Sequence, residues 1–141
     1  MQTFFCEADA ETTARSLDSR RLGKQRVEAI QVARANLGLT ERSGWLNHPC
    51  TRMWRPYMGY LVRVYLPAML TEWERRGYRN DACLRHLEEL SSIAPKNTES
   101  PAWLSAALIQ SHRSNLIRKN PDHYRKLWPE VPDDLPYVWP D

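Results

Sequence analysis

The chain has 141 residues, of which 42% are hydrophobic and 26% are charged. A chain of this length and composition is typical of one globular domain that folds without help from metals or disulfides. No apolar run approaches the roughly 20 residues of a membrane-spanning helix. Residues 1–10 carry no basic segment ahead of their apolar residues, so we expect no secretory signal. The sequence therefore predicts a single domain, residues 1–141, in the cytoplasm and without a membrane partner.

Cofactor and metal chemistry are disfavoured by the motifs that the sequence lacks. Cys6, Cys50 and Cys83 are widely spaced and form no C-x-x-C pair, which favours buried reduced thiols over a disulfide framework or a zinc site. There is no phosphate-binding loop, no G-x-G-x-x-G and no H-E-x-x-H motif. We therefore expect neither a cofactor nor a metal site.

The net charge of +3 is distributed unevenly along the chain. Residues 13–34 hold six basic and two acidic side chains, and residues 112–127 hold five basic and one acidic. Residues 130–141 hold four acids and no base. This asymmetry predicts that two basic segments meet on one face, as in a nucleic-acid site, and that the acidic tail stays away from it.

The predicted elements begin with an extended arm, residues 1–7, anchored by Phe4 and Phe5. Apolar residues at helical spacing predict a first helix from residue 11 or 12 to about residue 36, with Gly38 as its C-terminal stop. Gly23 lies inside this helix at a cost of roughly 1 kcal/mol against alanine, which indicates that another group approaches closely there.

A second helix is predicted from Pro49 to about residue 76. Pro56 and Pro67 lie inside its apolar stripe, so this helix is expected to be kinked or divided. A short third helix is predicted over residues 81–90.

A further helix is predicted to open at Ser100-Pro101 and to run to about residue 119, with Pro121 ending it. The last 14 residues contain four prolines and are expected to be irregular, with their aromatic side chains packed down. The predicted fold class is all-α. It is a compact single domain of about three main helices, with an extended N-terminal arm and an irregular tail rich in proline and tryptophan.

The segment LDSRRLGKQRVE, residues 17–28, concentrates positive charge on one helix. Positions three, seven and ten residues apart share a helix face, so four side chains form one row. They are Asp18, Arg21, Gln25 and Glu28. Such a row is also typical of a solvated salt-bridge ladder. The neighbouring Arg20 and Lys24 favour phosphate contact instead, because an arginine fork binds phosphate with two hydrogen bonds.

Two further clusters mix basic and aromatic residues. The first has rings that can stack on an unpaired base, although aromatic residues at helical spacing are more often core residues. It consists of Asn47, His48, Arg52, Trp54 and Tyr57. The second lies near a helix C-terminus, where the helix dipole alone favours basic residues. It consists of His112, Arg113, Asn115, Arg118, Lys119 and Tyr124.

In this order, these clusters resemble the pyrimidine-dimer DNA glycosylase family, of the endonuclease V type first known from phage. The resemblance covers nearly the whole chain. It is carried by the N-terminal arm, by R-V at residues 26–27, by HPCTRMWRPY from His48, by EWERRGY at residues 72–78 and by residues 112–124. It implies a compact all-α enzyme that kinks DNA, flips a nucleotide and attacks the sugar with its N-terminal α-amine. The resulting Schiff base permits strand cleavage by β-elimination.

The resemblance also implies roles for individual residues. The nucleophile would be the α-amine of Met1, because the bulky Gln2 favours retention of methionine, and an α-amine with a pKa of about 8 has a free-base fraction at neutral pH. The family's catalytic glutamate precedes R-V by three residues, where this chain has Gly23. Glu28 is the first candidate to replace it, and Asp18 is the second.

DNA contacts are expected from the arm and from all three clusters, specifically Gln2, Arg20, Arg21, Lys24, Gln25, Arg26, Asn47, His48, Arg52, Trp54, Tyr57, His112, Arg113, Arg118 and Lys119. The expected partner is double-stranded DNA with a damaged, modified or abasic nucleotide, bound by a monomer. The expected location is the nucleoid, or the host cytoplasm if the chain is phage-encoded.

Two alternatives remain at this point. One is a non-catalytic module that recognises distorted or modified DNA, and the other is a domain whose basic helix docks an acidic protein. Pyrimidine dimers, hypermodified bases and abasic sites all require a basic groove and a pocket for a flipped nucleotide, so the sequence leaves the lesion open.

Overall fold

The computed structural model describes residues 2–40 and 44–140. Within these ranges the chain forms eight α-helices and no β-strand: α1 Ala10–Ser16, α2 Ser19–Asn36, α3 Pro49–Trp54, α4 Met58–Tyr60, α5 Leu66–Arg75, α6 Asp81–Ile93, α7 Ala106–Lys119 and α8 Pro121–Tyr124. The predicted all-α fold is confirmed. No helix among the described residues is both long and apolar enough to cross a bilayer.

The predicted first helix is divided into α1 and α2. Leu17 and Asp18 adopt extended backbone, with ψ of 140° and 156°, and thereby end one helix before the next begins. The Asp18 carboxylate then caps α2 by accepting a hydrogen bond from the backbone N–H of Arg21 at 3.4 Å. Apolar periodicity alone does not reveal this break, because buried Leu17 keeps the helical spacing across it.

The predicted second helix is also divided, as its prolines indicated. Pro56 lies in a 3₁₀ turn, Arg55–Tyr57, and the backbone leaves helical geometry at Tyr57. A π-helical turn, Leu61–Tyr65, then precedes Pro67, with the Leu66 N–H bonded five residues back to the Leu61 carbonyl. Proline has no N–H to donate, so the ladder is interrupted at both prolines.

The start predicted at Ser100-Pro101 is wrong for the last long helix. α7 begins at Ala106, and the Ser105 hydroxyl caps it by accepting a hydrogen bond from Leu108 N at 3.2 Å. The Pro101 carbonyl instead accepts from Leu104 N at 3.1 Å in a separate turn. Two serines five residues apart offer the same capping signal, and only packing decides between them.

The N-terminal arm runs through the middle of the core. Phe4 and Phe5 have relative exposures of 1% and 0%. The Phe5 ring lies 5.1 Å from the ring of Tyr65 and about 6 Å from those of Trp54 and Trp103. The prediction that these two phenylalanines anchor the arm is confirmed. The three cysteines are also buried and free, as predicted.

The C-terminal tail is irregular but held firmly on α7. Ser111 Oγ donates to the Pro136 carbonyl at 2.8 Å and accepts from Val138 N at 2.9 Å. Arg118 donates to the carbonyls of Asp133 and Leu135. The acidic tail was expected to stay away from the basic helices. It lies on one of them because its proline-rich backbone needs donors for its carbonyls, and α7 supplies them.

Gly59 permits the closest backbone approach in the described part of the chain, and this predicts a measurable cost. A Cβ at position 59 would lie 1.7 Å from the carbonyl oxygen of Asn97. We expect Gly59→Ala to lower the free energy of unfolding by about 1–3 kcal/mol or more, because backbone must move. Urea denaturation measures this. Gly44→Ala is the control, since a Cβ at position 44 would meet no atom of the described residues within 4 Å. An equal effect of both substitutions would contradict the prediction.

Candidate active site and nucleic-acid interface

The side chain of Gln25 joins the arm to α2. It is fully buried, and its oxygen accepts from Phe4 N at 2.9 Å and from the Tyr65 hydroxyl at 2.8 Å. Its nitrogen donates to the Gln2 carbonyl at 3.0 Å and to Glu28 Oε2 at 3.0 Å. These four bonds use all the donors and acceptors of an amide. Gln25 was predicted to contact DNA, and the structure instead gives it four partners inside the protein.

Glu28 is a half-buried carboxylate beside the start of the arm. Burial raises the pKa of Glu28 above its ordinary value, while the backbone N–H of Gln2, the charge of Arg21 and the amide of Gln25 oppose that rise. A carboxyl group whose pKa is raised exchanges protons more readily near neutral pH. The structure thus brings together Gln2, Arg21, Gln25 and Glu28 of the predicted site.

Asp18 lies at the N-terminus of α2, where it is engaged in structure. Its carboxylate caps the helix and accepts a hydrogen bond from the Tyr124 hydroxyl. That hydroxyl also accepts from Asp18 N at 2.9 Å. Burial raises the pKa of the Tyr124 hydroxyl, and its hydrogen bond to the Asp18 carboxylate raises that pKa further. Asp18 therefore links α2 to α8. Because its carboxylate is occupied in this way, Glu28 is the better candidate for the carboxylate of the site.

Cations from α2 and α7 meet beside Glu28. Burial lowers the pKa of Lys119, and the positive charges of Arg21 and Lys24 lower it further, whereas the charge of Glu28 raises it. These effects indicate that Lys119 lies in the neighbourhood of Arg21, Lys24 and Glu28, because Coulomb interactions weaken with distance. One residue of the second basic stretch thus lies near the first.

A groove of about 450 Å³ lies between α2 and α5. It is lined by Ser19, Arg20, Gly23, Lys24, Val27, Glu28 and Gln31 of α2 and by Trp73 of α5. Arg20 and Lys24 are exposed. The groove thus offers two solvent-exposed cations, an aromatic wall and the Glu28 carboxylate in one place.

A larger concave region of about 640 Å³ lies between α1 and α5 and contains none of the predicted site residues. Its arginines are engaged within the protein. Arg75 pairs with Glu72 at 2.6 Å, Arg15 pairs with Glu11, and Arg63 donates to three backbone carbonyls. The groove on α2 is therefore the better candidate for an anionic ligand.

Two predicted DNA contacts face the interior. Trp54 has no exposed surface, and its indole N–H donates to Thr3 Oγ1 at 2.8 Å. Arg26 donates to Asn80 Oδ1 at 2.9 Å and lies over the Trp73 ring, 4.1 Å from its centroid. A buried ring offers no face to a base, so Trp54 acts as a core residue here.

The α7 cluster is likewise used mainly for structure. His112 is fully buried, and its Nδ1 accepts from Phe5 N at 2.9 Å, while Nε2 lies 3.2 Å from the side-chain amide of Gln2. Arg113 bonds the Cys6 carbonyl at 2.7 Å and Glu7 at 3.0 Å. Arg118 holds the tail, as described above. Of this cluster, Lys119 remains exposed towards the basic face.

The remaining predicted contacts are Asn47, His48, Arg52 and Tyr57. Asn47 and Arg52 are exposed, and Tyr57 is half-buried. His48 caps α3, accepting a hydrogen bond at Nδ1 from Cys50 N at 3.1 Å, and burial lowers its pKa. Met1 lies outside the described residues.

Comparison with known proteins decides the family. The family model described as pyrimidine dimer DNA glycosylase matches residues 1–85, which include the arm and α1–α5. The chain belongs to this family. The match includes Gln2, Gln25 and Glu28, and the family implies DNA glycosylase activity on DNA with damaged pyrimidines. The chain matches no curated protein and no solved structure.

The structure gives a reason for the glycine at position 23. A Cβ at Gly23 would lie 3.0 Å from Cη2 of Trp73, so a side chain there would be directed against that ring. The arm contacts α2 at Gln25, about 200° around the helix from position 23. Glu28 lies on the arm's side, one turn beyond Gln25.

Sequence reasoning missed Tyr65 as a support of the site, and it placed Tyr124 in a basic cluster without its link to Asp18. Tyr65 bonds Gln25 and the Phe4 carbonyl, and Tyr124 bonds Asp18. The Tyr65 ring follows the helical apolar pattern, which is typical of ordinary core residues. The available signal is that a buried tyrosine hydroxyl needs a polar partner, and buried polar partners in turn mark an organised site.

The role of Gln25 predicts a loss of stability on substitution. Gln25→Leu keeps the volume similar but leaves the Gln2 carbonyl without the amide that donates to it, and it leaves Phe4 N with only the longer bond to the Tyr65 hydroxyl, at 3.3 Å. We expect the free energy of unfolding to fall by about 1–3 kcal/mol for each buried group left unpaired. Urea denaturation measures the change, and Gln31→Leu, at an exposed position of the same helix, is the matched control. If the two variants were equally stable, the buried network would not hold the arm.

The burial of His112 predicts a pH dependence. Burial lowers the pKa of His112 from 6.5 to about 3. Below pH 6.5 the unfolded chain binds a proton that the folded chain excludes until about pH 3, so stability falls as the pH falls through this range. We expect His112→Gln to give a shallower decline of unfolding free energy between about pH 7 and pH 4, measured by denaturation at each pH. Parallel profiles for the two proteins would contradict this.

Proposed function

We propose that this protein is a DNA glycosylase with associated lyase activity, acting on a damaged or modified pyrimidine in double-stranded DNA. The observation that carries the proposal is the contact between Glu28 and the arm. The side-chain nitrogen of Gln25 donates both to the carbonyl of Gln2, the residue next to Met1 in the chain, and to the half-buried Glu28 carboxylate, each at 3.0 Å. In a chain of this family, that arrangement supports chemistry by the N-terminal amine assisted by a carboxylate.

The proposed reaction begins with attack of the Met1 α-amine on the anomeric carbon. A new carbon–nitrogen bond forms, the glycosidic bond breaks, and the base leaves with the bonding electrons. Glu28 stabilises the positive charge that develops on the sugar and transfers protons between the amine and the opening ring. The Schiff base then permits loss of a proton from the adjacent carbon and departure of the 3′-phosphate.

The cations provide binding in this proposal. Arg20, Arg21, Lys24 and Lys119 face outward or partly outward on the converged basic face. They would contact the phosphates on either side of a flipped nucleotide, which makes affinity dependent on salt. A basic surround also lowers the pKa of a nearby amine and so enlarges its reactive free-base fraction.

Borohydride trapping tests the mechanism. Wild-type protein is mixed with duplex DNA that contains one abasic site, reduced, and analysed by mass spectrometry. We expect a covalent adduct that maps to Met1. Glu28→Gln is expected to slow adduct formation by at least about a hundredfold, because general acid–base catalysis typically contributes that much. Glu88→Gln, at an exposed glutamate of α6, is the matched control.

Each other outcome has a definite meaning. If no adduct formed across a range of pH while binding stayed salt-dependent, the chain would be a non-catalytic DNA-binding module. A slow rate in Asp18→Asn together with a normal rate in Glu28→Gln would assign proton transfer to Asp18. An adduct mapping to a lysine would retain the lyase activity but remove Met1 as nucleophile.

A further inference from the structure

Four rings form a row that the proposed chemistry does not use. Tyr137 and Trp139 of the tail stack with centroids 5.6 Å apart and planes 21° apart. The row continues edge-on to His48, whose ring centroid lies 6.0 Å from that of Trp139. The ring of Trp45 follows, with its centroid 5.7 Å from that of His48. The relative exposures of Tyr137 and Trp45 are 37% and 42%, so both ends of the row remain open to solvent.

The tail holds the first two rings in fixed positions. The two residues that flank Tyr137 both bond the buried hydroxyl of Ser111. This hydroxyl donates to the Pro136 carbonyl and accepts from Val138 N. Proline on the N-terminal side further restricts the backbone. A ring mounted in this way loses little conformational freedom when a ligand stacks on it.

The row begins next to the reactive end of the arm. His112, which follows Ser111 on α7, contacts the Gln2 side chain at 3.2 Å. Further along the row, His48 Nδ1 accepts a hydrogen bond from Cys50 N, and the Cys50 sulfur lies 3.6 Å from Thr3 Oγ1. The tail and the His48 segment therefore both connect to arm residues 2 and 3. The charges of Arg21 and Glu28 also act on the Tyr137 hydroxyl, whose pKa is raised mainly by burial.

We propose that Tyr137, backed by Trp139, is the stacking platform for a nucleobase turned out of the duplex near the start of the arm. This rests on the proposed function, because a glycosylase must hold the unpaired base while the sugar reacts. A ring that is supported on one side, exposed in part and held on α7 next to the residue that contacts Gln2 meets that need. Every base has a π-face, so stacking adds affinity without demanding a particular sequence.

Binding to two duplexes tests the platform without any turnover. They are identical except at one unpaired position, which carries 2-aminopurine in the first duplex and a stable abasic analogue without a base in the second. We expect Tyr137→Ala to weaken binding of the base-containing duplex about tenfold or more, since base–aromatic stacking contributes on this scale. Binding of the abasic duplex should change less than about twofold. Tyr137→Phe, which keeps the ring, should bind both duplexes like the wild type.

A spectroscopic readout and a control complete the experiment. Stacking quenches 2-aminopurine, so its fluorescence in the complex should be lower with wild type and Tyr137→Phe than with Tyr137→Ala. Leu84→Ala removes an exposed apolar side chain of α6, away from the groove and the row, and should leave both affinities unchanged. If Tyr137→Ala folds poorly, Tyr137→Leu replaces it.

Equal losses on the two duplexes, or no loss on either, would overturn the platform. Failure of the proposed function is separate, because it shows as the absence of a borohydride adduct with wild-type protein on natural abasic DNA. A trapped adduct with unchanged base binding in Tyr137→Ala would thus keep the enzyme and reject this role for the tail.

Discussion

The buried amide of Gln25 fixes where the N-terminal arm lies, against the half-buried carboxylate of Glu28. Its oxygen accepts from Phe4 N and the Tyr65 hydroxyl, and its nitrogen donates to the Gln2 carbonyl and the Glu28 carboxylate. An amide has no further capacity once these four bonds are made. The same side chain therefore satisfies the buried backbone of the arm and orients the carboxylate, so the fold and the site depend on one group.

Holding Glu28 half-buried has an energetic consequence. Burial raises the pKa of Glu28, which means that the ionised carboxylate destabilises the folded state relative to the protonated one. Its partners, the Gln2 N–H, the Gln25 amide and the charge of Arg21, recover part of this free energy. A glutamate on the surface would not destabilise the folded state in this way, but it would remain fully ionised at neutral pH. The half-buried arrangement thus places a carboxyl group of raised pKa beside the arm, as the proposed role of Glu28 requires.

The sequence predicted the elements better than it predicted their directions. Helical spacing placed Gln25 and Glu28 on one face of α2, where they share a hydrogen bond, but polar residues at that spacing suggested a face towards DNA. Gln25 turns inward instead, because it bonds Phe4 N and the Tyr65 hydroxyl. These partners lie 21 and 40 residues from Gln25 in the chain. No local pattern encodes such partners. By contrast, Gly23 did signal a close approach, and the structure supplies the Trp73 ring as the approaching group.

The relation between Gly23 and Glu28 shows how a helix constrains where an acid can be placed. Five residues turn the helix by about 500°, so side chains at positions 23 and 28 point about 140° apart. Only one of the two positions can face the arm. Trp73 packs against Gly23, and the arm packs against Gln25, so position 28 is the one that lies on the side of the arm. The location of the carboxylate therefore follows from which groups pack around α2 rather than from its spacing to the R-V pair.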